Sequence, residues 1–117
     1  MQVVRRRDER DEVLILGLIG DLDLASVPVV RSAAIEAAAD GWSAIVVDLT
    51  EVAFIDSAGM GSLIGIRRRC RAAGGDCVLA RTSDEVARQL AHADLDRLFP
   101  SFERVDEAVV AVRVTAS

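Results

Sequence analysis

The sequence predicts an α/β protein in which helices pack on a largely parallel β-sheet. Residues 13–19 are apolar on both faces, as expected for a central strand that is covered on both sides. Residues 44–49 form a second β-like run, and a helix-like run follows and ends near Ala73. A third short buried strand is expected at residues 77–80. Strands that alternate with helices in this way are typical of α/β layers.

The first third of the chain predicts an edge strand, a turn and the first helix. Val3 and Val4 indicate a short edge strand, and the charged residues 8–11 indicate a turn. Gly-Asp-Leu-Asp at residues 20–23 breaks the apolar pattern after the central strand. We expect Ser26 to cap the next helix. That helix tolerates proline in its first turn and should run to about residue 40, where a glycine provides the stop.

The last third repeats the alternation. Gly74 and Gly75 should end the helix that follows the second β-like run. Ser83 is expected to cap another helix, whose two acidic first-turn residues suit the helix dipole. The remaining predicted elements are a closing segment at residues 95–100, a brief strand near 102–104 and an amphipathic helix at 106–115. The valines of that last segment would also suit a strand.

The composition excludes several classes of function. The 117 residues carry a formal net charge of -5, and all fourteen basic residues are arginines. Without lysine, neither a Walker A phosphate loop nor Schiff-base chemistry is possible. The negative charge argues against nonspecific binding to nucleic acid. No apolar run approaches the ~20 residues of a membrane span and no signal peptide is recognisable, so we expect no membrane partner.

The hydrophobic content and the two cysteines indicate what is buried inside the protein. Hydrophobic residues make up 51% of the chain, which indicates either an unusually aliphatic core or a docking face. The spacing of Cys70 and Cys77 fits neither a disulfide framework nor a zinc site. We therefore expect both to be buried thiols in a reducing cytoplasm.

Residues 54–65 are the stretch that the other elements are expected to present. Ser57 stands between an acidic residue and an Ala-Gly pair, directly after the second β-like run. At a helix start, a side-chain oxygen can satisfy backbone N–H groups that lack a partner. The glycines keep the first turn bare, so that another molecule could approach the backbone and the serine closely.

The helix after Ser57 presents several stripes at about 100° per residue. The predicted core stripe consists of Leu63, Ile66, Cys70 and Ala73. Two neighbouring stripes mix glycine, apolar side chains and arginine: Met60, Ile64, Arg67 and Arg71, then Ser57, Gly61, Ile64 and Arg68. Such a mixture is typical of a protein–protein contact. The same pattern would also arise if Met60 and Ile64 merely widened the core face.

No set of residues predicts catalysis. Gly-Met-Gly at residues 59–61 resembles the start of a dinucleotide fingerprint, but Ile64 occupies the position of the third glycine. His92 has no convincing catalytic or metal-binding partners and is expected on a helix surface. Ser57 has no identifiable base. We therefore expect no enzyme, although an exposed serine is a suitable acceptor for chemistry that another protein performs.

Two motifs resemble those of the STAS domain family. The Gly-Asp-Leu-Asp turn at residues 20–23, followed by a helix, resembles the Gly-x-Leu-Asp turn of that family. Residues 48–61, which end in Phe-Ile-Asp-Ser-Ala-Gly-Met-Gly, resemble the signature loop of its anti-sigma factor antagonist branch. The Gly-Gly pair at residues 74–75 and the segment at 95–99 also fit, so the resemblance covers nearly the whole chain.

The resemblance implies a single STAS domain over residues 1–117, with helices on a mixed, mostly parallel sheet and an antiparallel first strand. It also implies a cytoplasmic anti-sigma factor antagonist that binds an anti-sigma factor serine kinase of the GHKL type and so frees a sigma factor. The kinase would use its own ATP and magnesium to phosphorylate Ser57. A PP2C-type phosphatase would reverse this step. Many relatives carry a second serine where this chain has Ala58, which leaves Ser57 as the acceptor in the loop.

The predicted partner-binding surface combines the resemblance with the helix stripes. Its members are Asp23, Asp56, Ser57, Ala58, Gly59, Met60, Gly61, Ile64 and Arg67. Phosphate on Ser57 would add charge to a contact that must exclude water, so it should weaken binding without unfolding the domain. Two alternatives stay open. One is a STAS scaffold or transporter-associated subunit that docks without phosphorylation, and the other is a small-ligand or nucleotide-binding module.

Overall fold

The elements observed in the computed structural model alternate as the sequence predicts. The structure describes the backbone of residues 1–116 and the side chains of residues 1–113. In this range the strands are β1 (Gln2–Arg7), β2 (Leu14–Ile19), β3 (Ala44–Glu51), β4 (Asp76–Ala80) and β5 (Ser101–Phe102). The α-helices are α1 (Val27–Ala39), α2 (Ser57–Ala72), α3 (Asp84–His92) and α4 (Val105–Ala116). Short 3₁₀ turns at Leu24–Ser26 and Leu95–Arg97 precede α1 and β5. None of the described helices is both long enough and apolar enough to cross a membrane.

The five described strands form one sheet in the order β1-β2-β3-β4-β5. β1 is antiparallel to β2 and the other neighbours are parallel, which confirms the predicted mixed sheet with an antiparallel first strand. Each parallel strand lies one place further along the sheet. Right-handed crossovers that all advance in one direction place their helices on the same face. Accordingly, α1, α2 and α3 contribute to one core cluster and α4 to a separate one.

Helices on both faces explain the apolar character of β2. Leu14, Leu16 and Leu18 belong to the cluster that contains the side chains of α1, α2 and α3. Ile15, on the opposite face, belongs to the cluster under α4 together with Val13, which precedes the strand. Because both faces are buried, the strand has no polar alternation. The prediction of a central, doubly covered strand is confirmed.

Two helix ends differ from the prediction. Ser26 does not cap α1 with its side chain, because a 3₁₀ turn precedes the helix and moves the cap to Asp23. The Oδ1 atom of Asp23 accepts a hydrogen bond from the Ser26 N–H at 3.1 Å, and Ser26 Oγ accepts one from the Asp23 N–H at 2.9 Å. Ala73 is exposed rather than part of the core, because α2 ends at Ala72 and the chain then turns through Gly74 with φ +87°.

The cysteines and the histidine lie where the sequence predicts. Cys70 and Cys77 are free and buried. Burial raises the pKa of the Cys70 thiol to about 12 and raises the pKa of Cys77 well above its usual value. Both therefore remain protonated thiols that contribute packing rather than reactivity. His92 is exposed at the last position of α3.

Candidate functional site

The loops that follow β2 and β3 are joined to each other at the carboxyl-terminal ends of these strands. Leu22 and Ile55 form an isolated parallel bridge, and both side chains are buried. The Leu22 N–H donates to the Phe54 carbonyl at 3.0 Å, and the Asp56 N–H donates to the Leu22 carbonyl at 3.1 Å. These contacts bring the two sequence motifs, which are more than thirty residues apart, into one surface.

Asp56 holds the starts of two helical segments with one carboxylate. It is the N-cap of α2, where its Oδ1 accepts a hydrogen bond from the Gly59 N–H at 2.8 Å. Its Oδ2 accepts from the Leu24 N–H at 3.2 Å, in the 3₁₀ turn of the other loop. Charge-assisted bonds of this kind are stronger than neutral ones. The two loops are thus fixed by Asp56, while Asp23 caps its own turn.

Ser57 is the first residue of α2, so it does not cap the helix that it begins. Its side chain is exposed and has no hydrogen-bond partner among the described residues. Ala58 beside it is half-buried and has no hydroxyl group. Ser62, one turn further, is half-buried and donates to the Ala58 carbonyl at 3.3 Å. Ser57 is therefore the accessible hydroxyl of this loop.

Gly59 and Met60 lie beneath the surface rather than on it. A Cβ atom at Gly59 would lie 2.0 Å from the Leu22 carbonyl oxygen, so only glycine allows the two loops to approach this closely. Met60 is 8% exposed and packs in the core cluster with the side chains of α1, α2 and α3. Both residues position the predicted surface but present little of themselves to a partner.

Ile64 and Arg67 lie on the flank of α2 that faces the Leu98–Phe99 segment. Ile64 is half-buried and packs against the core. The Arg67 side chain is 20% exposed, and its Nε donates to Asp76 Oδ1 at 3.1 Å. It also donates to the Leu98 carbonyl and lies 5.5 Å from the centroid of the Phe99 ring. Arg67 therefore joins α2 to β4 and to the Leu98–Phe99 segment.

Two exposed apolar residues extend the surface beyond the sequence prediction. Leu24, in the 3₁₀ turn, is 72% exposed, and Phe54, just before the Ile55 bridge, is 45% exposed. Both belong to the loops that flank Ser57. Helical periodicity does not describe loop residues, so only the folded chain shows that these two side chains are exposed. The one signal in the sequence was an apolar residue close to each of the two acidic positions: Leu24 directly follows Asp23, and Phe54 stands two residues before Asp56.

A groove lies between α1 and α2. We call it the α1–α2 groove; its volume is about 360 Å³. Gly61, Ser62 and Gly65 of α2 line one side, and Val27, Arg31 and Ala34 of α1 line the other. Leu24 and Ala58 also line it, which connects it to the surface around Ser57. Arg69 and Ile66 complete the lining.

Comparison with known proteins matches this chain to one family model. The STAS domain model matches residues 5–108, which is most of the chain. An anti-sigma factor antagonist candidate of Thermotoga maritima is 30% identical over 73 residues, 62% of this chain and 65% of the relative. The match thus spans just under two thirds of the length of that relative.

Solved structures share the fold at lower identity. A crystal structure of a Thermotoga maritima anti-sigma factor antagonist candidate has a TM-score of 0.86 at 23% identity, over 95% of this chain and 94% of that one. The phosphorylated form of the Bacillus cell fate determinant SpoIIAA has a TM-score of 0.71 at 24% identity, over 96% of this chain and 100% of that one. The family model, the paired loops and the mixed sheet agree with one another, and this chain belongs to the STAS domain family.

Proposed function

We propose that this chain is a cytoplasmic anti-sigma factor antagonist that is switched by phosphorylation of Ser57. In its unphosphorylated form it binds an anti-sigma factor serine kinase of the GHKL type, and a sigma factor is released. The kinase transfers a phosphoryl group from ATP to the Ser57 hydroxyl, and a PP2C-type phosphatase removes it. The relatives named as antagonist candidates support this assignment, and so does the Ser57 hydroxyl, which is exposed and has no partner among the described residues.

The proposed contact surrounds this serine. Its polar part consists of Asp23, Asp56 and Ser57, and its apolar part consists of Leu24, Phe54, Ala58 and Ile64. Apolar side chains that cluster around a serine allow a partner to exclude water from the centre of the contact. Gly61 leaves the first turn open to the backbone of the partner.

Electrostatics explain how phosphorylation would act at this position. A phosphoserine carries about -1.5 to -2 charges, and here it would stand next to the Asp56 carboxylate. Backbone N–H groups in the first turn of α2 lack helical acceptors and could hold the phosphate without refolding. Burial of that charge in a contact with a kinase would cost several kcal/mol, which is more than a tenfold loss of affinity. The switch would thus act on binding, and the fold would persist.

Intact-mass analysis tests the proposal directly. The protein and its variant Ser57→Ala are each incubated with ATP, magnesium and the anti-sigma factor kinases of the same organism. We expect one phosphoryl group on the wild type and none on the variant, which should keep its fold and bind the kinase constitutively. If the variant is still phosphorylated and fragment masses place the phosphate within residues 56–63, the acceptor is Ser62. Binding by the wild type without any phosphorylation would instead favour a STAS scaffold.

A further inference from the structure

We propose that the α1–α2 groove binds an acidic segment of the partner protein that carries apolar side chains on one face. The inference rests on the proposed function, because it assigns this segment to the anti-sigma factor. The contact would begin at Ser57 and continue along the groove between Arg31 and Arg69. Three features of the groove support this assignment.

The first feature is the pair of glycines in the groove wall. Gly61 and Gly65 lie inside α2, where each glycine disfavours the helix by about 1 kcal/mol relative to alanine. A Cβ atom at either position would meet no other atom within 4 Å. Packing among the described residues therefore does not require these glycines, in contrast to Gly59. Their lack of side chains lowers the wall of the groove and allows another backbone to approach closely.

The second feature is charge. Arg31 of α1 and Arg69 of α2 both line the groove, and neither side chain has an ion-pair or hydrogen-bond partner among the described residues. Within the part of the chain that the structure describes, seven of the fourteen arginines form ion pairs with Asp or Glu, and Arg31 and Arg69 are among the seven that do not. A guanidinium group binds a carboxylate through two parallel hydrogen bonds. The two arginines thus complement acidic side chains, on a chain whose own net charge is -5.

The third feature is the apolar lining. Val27, Ala34 and Ile66 line the groove, and the 72% exposed Leu24 stands at the end near Ser57. Apolar walls with cationic groups suit an amphipathic peptide segment, which docks by its apolar face in a groove between helices. A free phosphate or nucleotide would gain little from these aliphatic side chains.

Substitutions in the groove test the proposal against the kinase partner. Arg31→Glu and Arg69→Glu should each weaken binding at least tenfold, and the matched control Arg10→Glu, at an exposed arginine in the turn between β1 and β2, should change it less than twofold. The double variant Gly61→Ala/Gly65→Ala should melt at a higher temperature than the wild type yet bind at least tenfold more weakly. A higher melting temperature together with weaker binding would show that the glycines serve docking rather than the fold. Unchanged binding by these variants would overturn the proposal.

A peptide titration separates this inference from the proposed function. The probes are two helical peptides of roughly 15 residues with the same leucine face, one flanked by glutamates and one by lysines. We expect only the glutamate peptide to shift the NMR amide signals of Gly61 and Gly65. If the peptide binds there but no kinase binds the chain, only the proposed function fails. If kinases bind but the groove variants bind equally well, or if both peptides shift the same signals, the groove assignment fails. Sedimentation adds one more test. If the wild type dimerises and the alanine variants do not, a second copy occupies the groove and the groove assignment is wrong.

Discussion

At the scale of single residues, neighbouring positions at the start of α2 have separate tasks. Asp56 binds backbone N–H groups of both loops, through Gly59 and Leu24. Gly59 allows the second loop to lie against the Leu22 carbonyl. Ser57, between them, makes no hydrogen bond with its side chain to any described residue. A serine held rigidly but left unbonded is well suited to modification, because its hydroxyl can react without breaking a contact that the fold needs.

Gly59 provides the sharpest prediction at this scale. Gly59→Ala should destabilise the protein by about 3 kcal/mol, because the added methyl group meets backbone rather than a flexible side chain. Gly65→Ala is the matched control and should stabilise by about 0.5–1 kcal/mol through helix propensity alone. Urea unfolding of the two variants measures both changes. Equal stability of Gly59→Ala and the wild type would mean that the loops are not held this closely.

At the scale of elements, α2 carries a buried face and a partly exposed flank, and helical periodicity alone does not show where one ends and the other begins. Leu63, Ile66 and Cys70 are buried, as the periodicity predicts. Met60 joins this core, although its stripe also includes Ile64, which is only half-buried. Arg67 follows on the same flank and is bound within the fold. One face of α2 thus packs in the core, and the half-buried Ile64 beside that face belongs to the proposed contact.

Glutamate substitutions along α2 should reveal this division. Ile66→Glu should unfold the domain, since Ile66 is 1% exposed and a lone buried carboxylate costs several kcal/mol of a total stability of about 5–15 kcal/mol. Met60→Glu should do the same. Ile64→Glu should keep most of its stability and lose binding to the partner. Thermal melts beside pull-downs measure both properties, and an Ile64→Glu variant that melts like Ile66→Glu would assign Ile64 to the core.

At the scale of the whole molecule, Arg113 joins the last helix to the first turn of the chain through ion pairs with Asp8 and Glu12. Arg113 of α4 donates to Asp8 in the turn between β1 and β2, and the Asp8 side chain is 4% exposed. The N–H groups of Glu12 and Val13 also donate to Asp8, each at 2.8 Å. Burial raises the pKa of Asp8, but the hydrogen bonds from Val13, Arg113 and the turn outweigh it and lower the pKa to about 2.

The ion pair between Asp8 and Arg113 predicts a specific loss of stability in acid. The pKa of Asp8 is lower in the folded protein than its ordinary value of 3.8, so its stabilisation is present above about pH 4 and is lost as the pH falls toward 2. Allowing for solvent screening, the contribution is on the order of 1–2 kcal/mol. Asp8→Asn should flatten the dependence of unfolding free energy on pH in this range, and the exposed control Asp21→Asn should not. Parallel slopes for Asp8→Asn and the wild type would contradict the assignment.

By itself, the sequence determined the order of the elements, the buried strand β2, the helix α4 and the position of Ser57 at the start of α2. These features depend on local periodicity, turn residues and short motifs, which act over a few neighbouring positions. The tertiary structure decided that Asp56 rather than Ser57 caps α2, that Met60 is buried and that Arg67 is bound within the fold. It also decided that Leu24 and Phe54 are exposed beside the serine and that α1 and α2 leave a groove between them. Each of these outcomes depends on contacts between distant segments, such as Leu22 with Ile55, and the spacing of residues along one helix cannot specify which segment will lie against it.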